Sequence, residues 1–349
     1  MPATLKELLS PPAVWRGLKK RLADRAIVLL YHKIHDGPAD PCLLQVRPSR
    51  FEQHLQVIHK LCRPMDVAEL SRRLRSGQVP HRAVCVTFDD AYVDNLLEAK
   101  PLLERYQVPA TMFATTGAAG RAREFWWDQI ERIFLQPGRL PRRLRMKLDS
   151  CEIDCDLGTA CEWDHSEAAA HNGWNLEQDS TPTPRHSMFR EFHGLLQPMH
   201  ECARQAALEE LMRWAGRDGA EVRPACRALD MAELVELERG GLIEIGAHSV
   251  NHPQLNTASR VTQQREIADS KLQLERALGH AVAGFAYPYG LWSETTVEIA
   301  REAGLEYACT CIATPVWRSS DLYLLPRLQV TDCDGDAFEK LMRHWLGWR

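Results

Sequence analysis

The chain has 349 residues, of which 45% are hydrophobic and 26% are charged, and its formal net charge is −4. This length accommodates one large α/β barrel with insertions, or two domains. The negative net charge argues against charge-driven binding to nucleic acid, and no apolar run approaches the roughly 18 to 20 residues of a membrane span.

Residues 1–25 form the first segment, predicted to be helical. Its apolar positions Trp15, Leu18 and Leu22 lie beside a basic cluster made of Arg16, Lys19, Lys20 and Arg21. The segment lacks the apolar core of a secretory signal, so we expect a cytoplasmic protein. A solvated helix that caps the first strand is the favoured interpretation, and a helix in peripheral contact with a membrane surface is the alternative.

Residues 26–120 alternate apolar strands with helices. Ala26–Tyr31 predicts a strand that ends at His32, and the next predicted helix runs over residues 50–61 with Ser49 as its cap. The run VCVTFDD predicts a buried strand that ends in two carboxylates, Asp89 and Asp90. The following helix, over residues 93–106, contains Pro101, which should kink or split it. A strand over residues 110–115 completes a parallel β-α-β unit, the first part of the barrel.

Residues 121–230 interrupt this alternation. They contain an aromatic-rich helix (FWWDQIERIFL), a stretch of alternating basic and apolar residues, a loop (STPTP) and a long helix-like segment over residues 186–214. Such a stretch predicts a mostly helical insertion or lid rather than an independent domain.

The alternation resumes in residues 231–349, the second part of the barrel. A strand over residues 242–247 ends at His248, and a strand over residues 282–287 ends in Pro288 and Tyr289. The last strands are predicted over residues 307–312 and 323–330, which brings the count to about seven.

Two of the strand ends carry potential metal ligands. The histidines of His248-Ser249-Val250-Asn251-His252 can face one point, and a carboxylate would complete three protein ligands with open positions, as in catalytic metal sites. Each motif is weak alone, because chance produces such histidine spacing and acidic pairs often cap helices. Their joint position after apolar strands predicts that they share one rim of a sheet or barrel.

The motifs TFDD, HSxxH after Gly-Ala, and FAYPYG resemble those of the polysaccharide deacetylases, the NodB-like carbohydrate esterases. The resemblance implies a distorted (β/α)7-type barrel that removes an N-acetyl group from an amino sugar with the help of a divalent metal, commonly zinc. By the same resemblance, Asp90, His248 and His252 would bind the metal and Asp89 would be the general base. The segment of Pro288 and Tyr289 would hold the oxyanion.

Two departures from the family pattern concern the supporting residues. No leucine-x-histidine segment follows Tyr289 to supply the general acid, and Ala286 stands where many members have an arginine. The poly-N-acetylglucosamine deacetylases look circularly permuted and begin with a strand ending in Tyr-His, as in LLYHKI here, which implies that His32 is the acid. Arg327 in the last strand is our candidate for the cation that orients Asp89, although a strand-end arginine often only pairs with a neighbouring acidic side chain.

The predicted function is therefore metal-dependent N-deacetylation of an amino sugar in a glycan, a lipid-linked intermediate or a surface-polysaccharide precursor. A deformylase or another amide hydrolase acting on a lipid-linked amino sugar is an alternative on the same scaffold. A catalytically inactive carbohydrate-binding protein is a third, motivated by the missing arginine and C-terminal histidine. Retention of Asp89 argues against it, since a pure binder needs no base.

Overall fold

The computed structural model describes residues 25–121, 123–148, 151–217 and 222–347. The predictions for residues 1–24 lie outside the described residues. Within the described ranges, the helices are all too short or too polar to cross a membrane.

The strands of the described chain are, in order, β1 (Ile27–Tyr31), β2 (Lys33–Ile34), β3 (Gln45–Val46), β4 (Arg63–Pro64), β5 (Ala83–Asp89), β6 (Ala110–Ala114), β7 (Arg143–Leu148), β8 (Cys151–Asp156), β9 (Ile243–Ala247), β10 (Gly284–Ala286), β11 (Tyr307–Cys309) and β12 (Leu328–Gln329). The α-helices are α1 (Pro48–Leu61), α2 (Val67–Arg75), α3 (Lys100–Tyr106), α4 (Trp126–Phe134), α5 (His165–Ala170), α6 (Pro184–Leu196), α7 (Glu201–Trp214), α8 (Met231–Glu238), α9 (Arg260–Leu278), α10 (Glu294–Glu302) and α11 (Gly335–Leu346).

The main sheet has the strand order β11-β10-β9-β6-β5-β1-β12, and β4 pairs with β5 outside this path. Neighbouring strands along this path run parallel, as expected when helices connect them. The sheet curls so that its two edges approach: Cys309 in β11 forms a parallel bridge with Leu325, just before β12. The predicted distorted (β/α)7-type barrel is confirmed.

Register along the sheet brings the carboxyl ends of the strands level. Tyr31 of β1 pairs with Phe88 of β5, so that His32 and Asp89 stand side by side one step further on. Ala114 of β6 pairs with Ala247 of β9, which brings His248 to the same rim. The rim is therefore set by strand pairing rather than by the loops that follow.

Successive side chains of each strand point to opposite faces of the sheet, and each face packs in its own hydrophobic core. Leu29 and Val86 belong to the core that includes the surrounding helices, whereas Val28 and Cys85 belong to a smaller core on the other face. Because both faces are covered, these strands read as continuous apolar runs in the sequence.

The insertion has a hydrophobic core of its own, built largely from α4, α6, α7 and the hairpin β7–β8. The stretch of alternating basic and apolar residues in the insertion, whose secondary structure was not predicted, is strand β7. Its Leu144 and Met146 are buried, and its exposed Arg143 and Arg145 form ion pairs with Asp154 across the hairpin. The prediction of one long helix-like segment over residues 186–214 was wrong, because two helices, α6 and α7, occupy this stretch.

Two local differences from the sequence predictions have proline as their cause. The segment over residues 186–214 is split into α6 and α7 around Pro198, which has no N–H to continue a helix. Helix α1 begins at Pro48 with Arg47 as its N-cap, so Ser49 lies inside the helix rather than capping it. Pro101 does divide its helix: a π-helical turn over Asn95–Ala99 precedes α3, where proline occupies the first turn.

Candidate active site

Three side chains that could hold a metal converge at the rim. Ligand atoms of Asp90, His248 and His252 all lie within 4.8 Å of one another, and the three residues are buried. Asp90 Oδ1 is 3.9 Å from His248 Nε2 and 3.6 Å from His252 Nε2. The three predicted ligands are therefore together, with their nitrogen and oxygen atoms facing a common point.

Hydrogen bonding orients His248 toward that point. Its Nδ1 lies 2.8 Å from the carbonyl oxygen of Ala286, which only accepts, so Nδ1 carries the proton and the Nε2 lone pair faces Asp90. The backbone is held in a strained left-handed conformation at neighbouring positions: φ is 71° at Asp90, 65° at Ser249 and 53° at His252. Such strain at non-glycine residues clusters at functional sites, where the surrounding structure enforces it.

The chemistry of this cluster fits a divalent cation. Asp90 Oδ1 is buried and has no hydrogen-bond partner, which is costly for a carboxylate oxygen. Burial and the neighbouring charge of Asp89 raise the pKa of Asp90 well above its usual range when no cation is bound. Two imidazole nitrogens and one carboxylate oxygen form a donor set typical of catalytic zinc, with room for further ligands.

Asp89 is held by Arg327. The two guanidinium nitrogens Nη1 and Nη2 donate to Oδ1 and Oδ2 of Asp89, both at 2.7 Å, and Arg327 Nε donates to the Thr310 carbonyl at 3.0 Å. Burial raises the pKa of Asp89, but the charge of Arg327 outweighs it and holds that pKa well below its usual range. The carboxylate is thus ionised and fixed, 3.7 Å from His248 Nε2.

His32 follows β1 and lines the same cleft as Asp89 and Asp90. The side-chain amide of Asn95 donates to the His32 carbonyl at 2.8 Å, which fixes the backbone at the strand end. Burial lowers the pKa of His32 to about 4, with the charge of Asp89 opposing it, so the ring is neutral at pH 7. The structure therefore brings the predicted general acid to the metal cluster.

Tyr289 lies in the turn Pro288–Gly290, with a φ of 58°. Its ring packs edge-on against His252, with 4.4 Å between centroids, and its hydroxyl accepts a hydrogen bond from Trp126 Nε1 at 3.2 Å. Pro288, the first residue of this turn, is buried. All the residues that the sequence predicted for the site thus lie at this rim.

A buried polar network joins the insertion to the site. Lys33, next to His32, forms a 2.5 Å ion pair with Asp128 of α4, and Tyr92 donates to the other Asp128 oxygen at 2.7 Å. Trp127 Nε1 donates to the Tyr92 hydroxyl at 2.7 Å, and its ring meets His252 edge-on at 5.1 Å. Asp128 therefore supports the site from behind, in keeping with a packed helix rather than a sugar contact.

The cleft over these residues has a volume of about 340 Å³. Several of its walls come from segments to which sequence reasoning assigned no role: Cys42 and Leu44 from the loop before β3, and Trp127, Leu176, His193 and Gln197 from the insertion. No signal in the sequence marked them, because they follow no strand and sit in helices or loops whose orientation depends on the insertion core.

A parallel α/β barrel that carries this cluster at the carboxyl ends of its strands has it where such barrels place their active sites. The family model described as "Polysaccharide deacetylase" matches residues 76–138 and 214–308. This match confirms the resemblance of the chain's motifs to the polysaccharide deacetylases.

Comparisons with individual proteins agree with this assignment. The chain is 30% identical over 124 residues to the poly-β-1,6-N-acetyl-D-glucosamine N-deacetylase of Staphylococcus aureus (strain MSSA476), a match that spans 33% of this chain and 42% of that protein. It is 20% identical over 314 residues to the putative polysaccharide deacetylase YxkH of Bacillus subtilis (strain 168), covering 89% of this chain and 74% of that one.

Two solved structures share the fold. The deacetylase PplD of Streptococcus pyogenes, in complex with acetate, superposes with a TM-score of 0.56 at 19% identity, covering 92% of this chain and 99% of that one. IcaB of Ammonifex degensii superposes with a TM-score of 0.55 at 17% identity, covering 93% and 97%. At such identities the likeness concerns the fold alone.

Proposed function

We propose that the protein is a zinc-dependent N-deacetylase of an N-acetylated amino sugar in a glycan, a lipid-linked intermediate or a surface-polysaccharide precursor. One observation carries the proposal: a His/His/Asp cluster and an arginine-paired aspartate share one rim of the barrel. The name of the Staphylococcus aureus relative, which acts on an N-acetylglucosamine polymer, supports an amino-sugar substrate.

Asp90 Oδ1 and the Nε2 atoms of His248 and His252 would hold the ion. When bound there, zinc would supply a Lewis acid that polarises the amide carbonyl and lowers the pKa of water. Asp89 takes the proton of the attacking water, since Arg327 keeps its carboxylate ionised and directed. The backbone of the Pro288–Gly290 turn supports the developing oxyanion.

Cleavage of the amide also needs an acid, because the departing amine would otherwise leave as an amide anion. His32 supplies this proton from a ring nitrogen. Because burial lowers the pKa of His32 to about 4, the resting ring is neutral, and the proton that Asp89 takes from the attacking water is passed to this ring. The imidazolium so formed then donates that proton to the departing amine and returns to the neutral state. The proposed catalytic groups therefore lie at the carboxyl ends of β1, β5 and β9, and Arg327, directly before β12, orients the base.

The test is acetate and formate release by purified protein from free, polymeric, nucleotide-linked and polyprenyl-linked amino sugars. Acetate release from N-acetylated sugars supports the proposal. Formate release alone would favour a deformylase, and sugar binding without either product would favour an inactive binding protein.

The variant that separates binding from turnover is Asp89→Asn. We expect it to retain zinc, measured by elemental analysis, and to lose about 10²- to 10⁴-fold in kcat, as for removal of a general base. Asp269→Asn, an exposed aspartate on α9, is the matched control and should behave as the parent protein. Normal acetate release by Asp89→Asn would remove Asp89 as the base.

A further inference from the structure

Helix α6 of the insertion directs two polar side chains with unused hydrogen-bonding capacity into the catalytic cleft. His193 and Gln197, in the last turn of α6 and directly after it, line the same cleft as Asp89, Asp90 and His248. Both are partly buried, and within the described ranges neither side chain makes a hydrogen bond; Gln197 contributes only its backbone N–H, to the His193 carbonyl. Polar groups half-withdrawn from water without protein partners are available to a ligand.

The other polar groups of the cleft differ in this respect. Gln329 donates its side-chain amide to the Leu43 carbonyl, Asp89 is paired with Arg327, and His248 donates to Ala286. Among the described residues that line the cleft, and apart from His32 and the three possible metal ligands, the nitrogen- or oxygen-bearing side chains with no hydrogen bond at all are therefore His193 and Gln197, on the insertion side.

The surroundings of His193 and Gln197 are apolar and aromatic. The His193 ring packs on Trp126 with 4.9 Å between centroids, and burial lowers the pKa of His193 to about 4, so the ring is uncharged at pH 7. Leu176 lies in the same wall, and its N–H donates to the Pro41 carbonyl, which closes the insertion onto the loop before β3. Leucine and tryptophan surfaces beside neutral donors and acceptors suit a pyranose ring, with its apolar face and hydroxyl edge.

The charges in the cleft also favour an uncharged ligand. The described residues that line it include no lysine or arginine that could meet a phosphate or carboxylate. Apart from the metal cluster, the recognition groups are uncharged amides, imidazole and hydrocarbon.

We propose that His193, Gln197 and Leu176 form a subsite for a second, uncharged sugar ring, next to the ring whose amide reacts. This subsite rests on the proposed function, since it selects a chain of sugars rather than a single sugar. The insertion then sets the preference for oligomers while the barrel supplies the reaction.

The test compares His193→Ala, Gln197→Ala and the double variant on N-acetylglucosamine and its tetramer. The kcat/KM for the tetramer should fall about tenfold per single variant, mainly through KM, because each loses a neutral hydrogen bond. The ratio of kcat/KM for tetramer to monomer should fall with it. Glu191→Ala, an exposed position on the same helix, should leave that ratio unchanged.

A second measurement guards against simple loss of structure. Zinc content and thermal unfolding should match the parent protein, and His193→Gln, which keeps a neutral hydrogen-bonding group at this position, should recover part of the tetramer preference. If the parent protein releases no acetate, the proposed function itself fails. If it does, and the variants lose equally on both substrates or on neither, the subsite is overturned while the function stands.

Discussion

The rim that carries Asp89, Asp90 and His248 and the wall formed by α6 are two sides of one cleft, and they are built in opposite ways. At the rim, side chains are buried and held by protein groups: Asp89 by Arg327, and His248 by the Ala286 carbonyl. On the wall, His193 and Gln197 are only partly buried and have no such restraint. Fixed geometry suits bond breaking and adaptable polar groups suit recognition, so reaction and selectivity are assigned to different parts of the chain.

Removal of the metal should have the largest effect and should strike only the rim. Treatment with a chelator is expected to reduce acetate release to background, and added zinc to restore it, since the ion held by these ligands would be a Lewis acid that no side chain replaces. Binding of the tetramer, followed by calorimetry, should persist without metal. Loss of binding together with activity would contradict the separation of the two regions.

Replacement of His32 tests the acid. His32→Gln should lower kcat on the acetylated sugar by about 100-fold, as for loss of a general acid. Hydrolysis of p-nitrophenyl acetate, whose leaving group needs no proton, should fall much less. Equal losses on amide and ester would assign the proton to another group.

The pair of Arg327 with Asp89 is the next target. Arg327→Lys keeps the charge but not the two parallel hydrogen bonds, so we expect a loss of about tenfold or more in kcat. Exposed Arg318→Lys is the control in the same segment. An unchanged kcat would mean that Arg327 has only a structural role.

The buried polar network behind the site joins α4 of the insertion to the barrel. Asp128→Asn leaves the ammonium of Lys33 buried without its counter-charge, which should lower the free energy of unfolding by about 3 kcal/mol. Zinc affinity, measured by competition with a chromophoric chelator, should fall as well, because Trp127 packs on His252. Exposed Asp179→Asn should change neither quantity.

The smallest expected effect is on the pH dependence of stability, and it compares a buried histidine of the barrel with one of the insertion. Burial lowers the pKa of His54 in the barrel and of His186 in the insertion to about 4, below the 6.5 of an unfolded chain. The folded state therefore binds these protons less well, and the stability each contributes above pH 6.5 declines as pH falls toward 4. His54→Gln and His186→Gln should each flatten the fall of the unfolding temperature over this range, and a slope equal to that of the parent protein would exclude the residue.

Sequence reasoning was strongest where a buried apolar run ends in polar residues. Asp89, Asp90 and His248 could be placed because parallel strands align their carboxyl ends, a rule that needs no knowledge of loops. Arg327 was only a candidate, since its pairing with Asp89 depends on how the barrel curls.

The insertion resisted prediction for a different reason. Its hairpin and its split helix follow from local packing against its own core, and neither alternation of Arg143–Leu148 nor Pro198 was strong enough alone to define them. His193 and Gln197 could be recognised as possible recognition groups only from the cleft that they line, because no sequence motif or spacing predicts that position.

The ion pair between β5 and the segment of β12 has a consequence for how the protein matures. Asp89 and Arg327 are 238 positions apart in the chain, so the contact can form only after residue 327 has been made and the segment before β12 has docked. Before that segment docks, Asp89 has no counter-charge to offset its burial in the barrel. Closure of the barrel and the pairing that keeps the Asp89 carboxylate ionised are therefore one event.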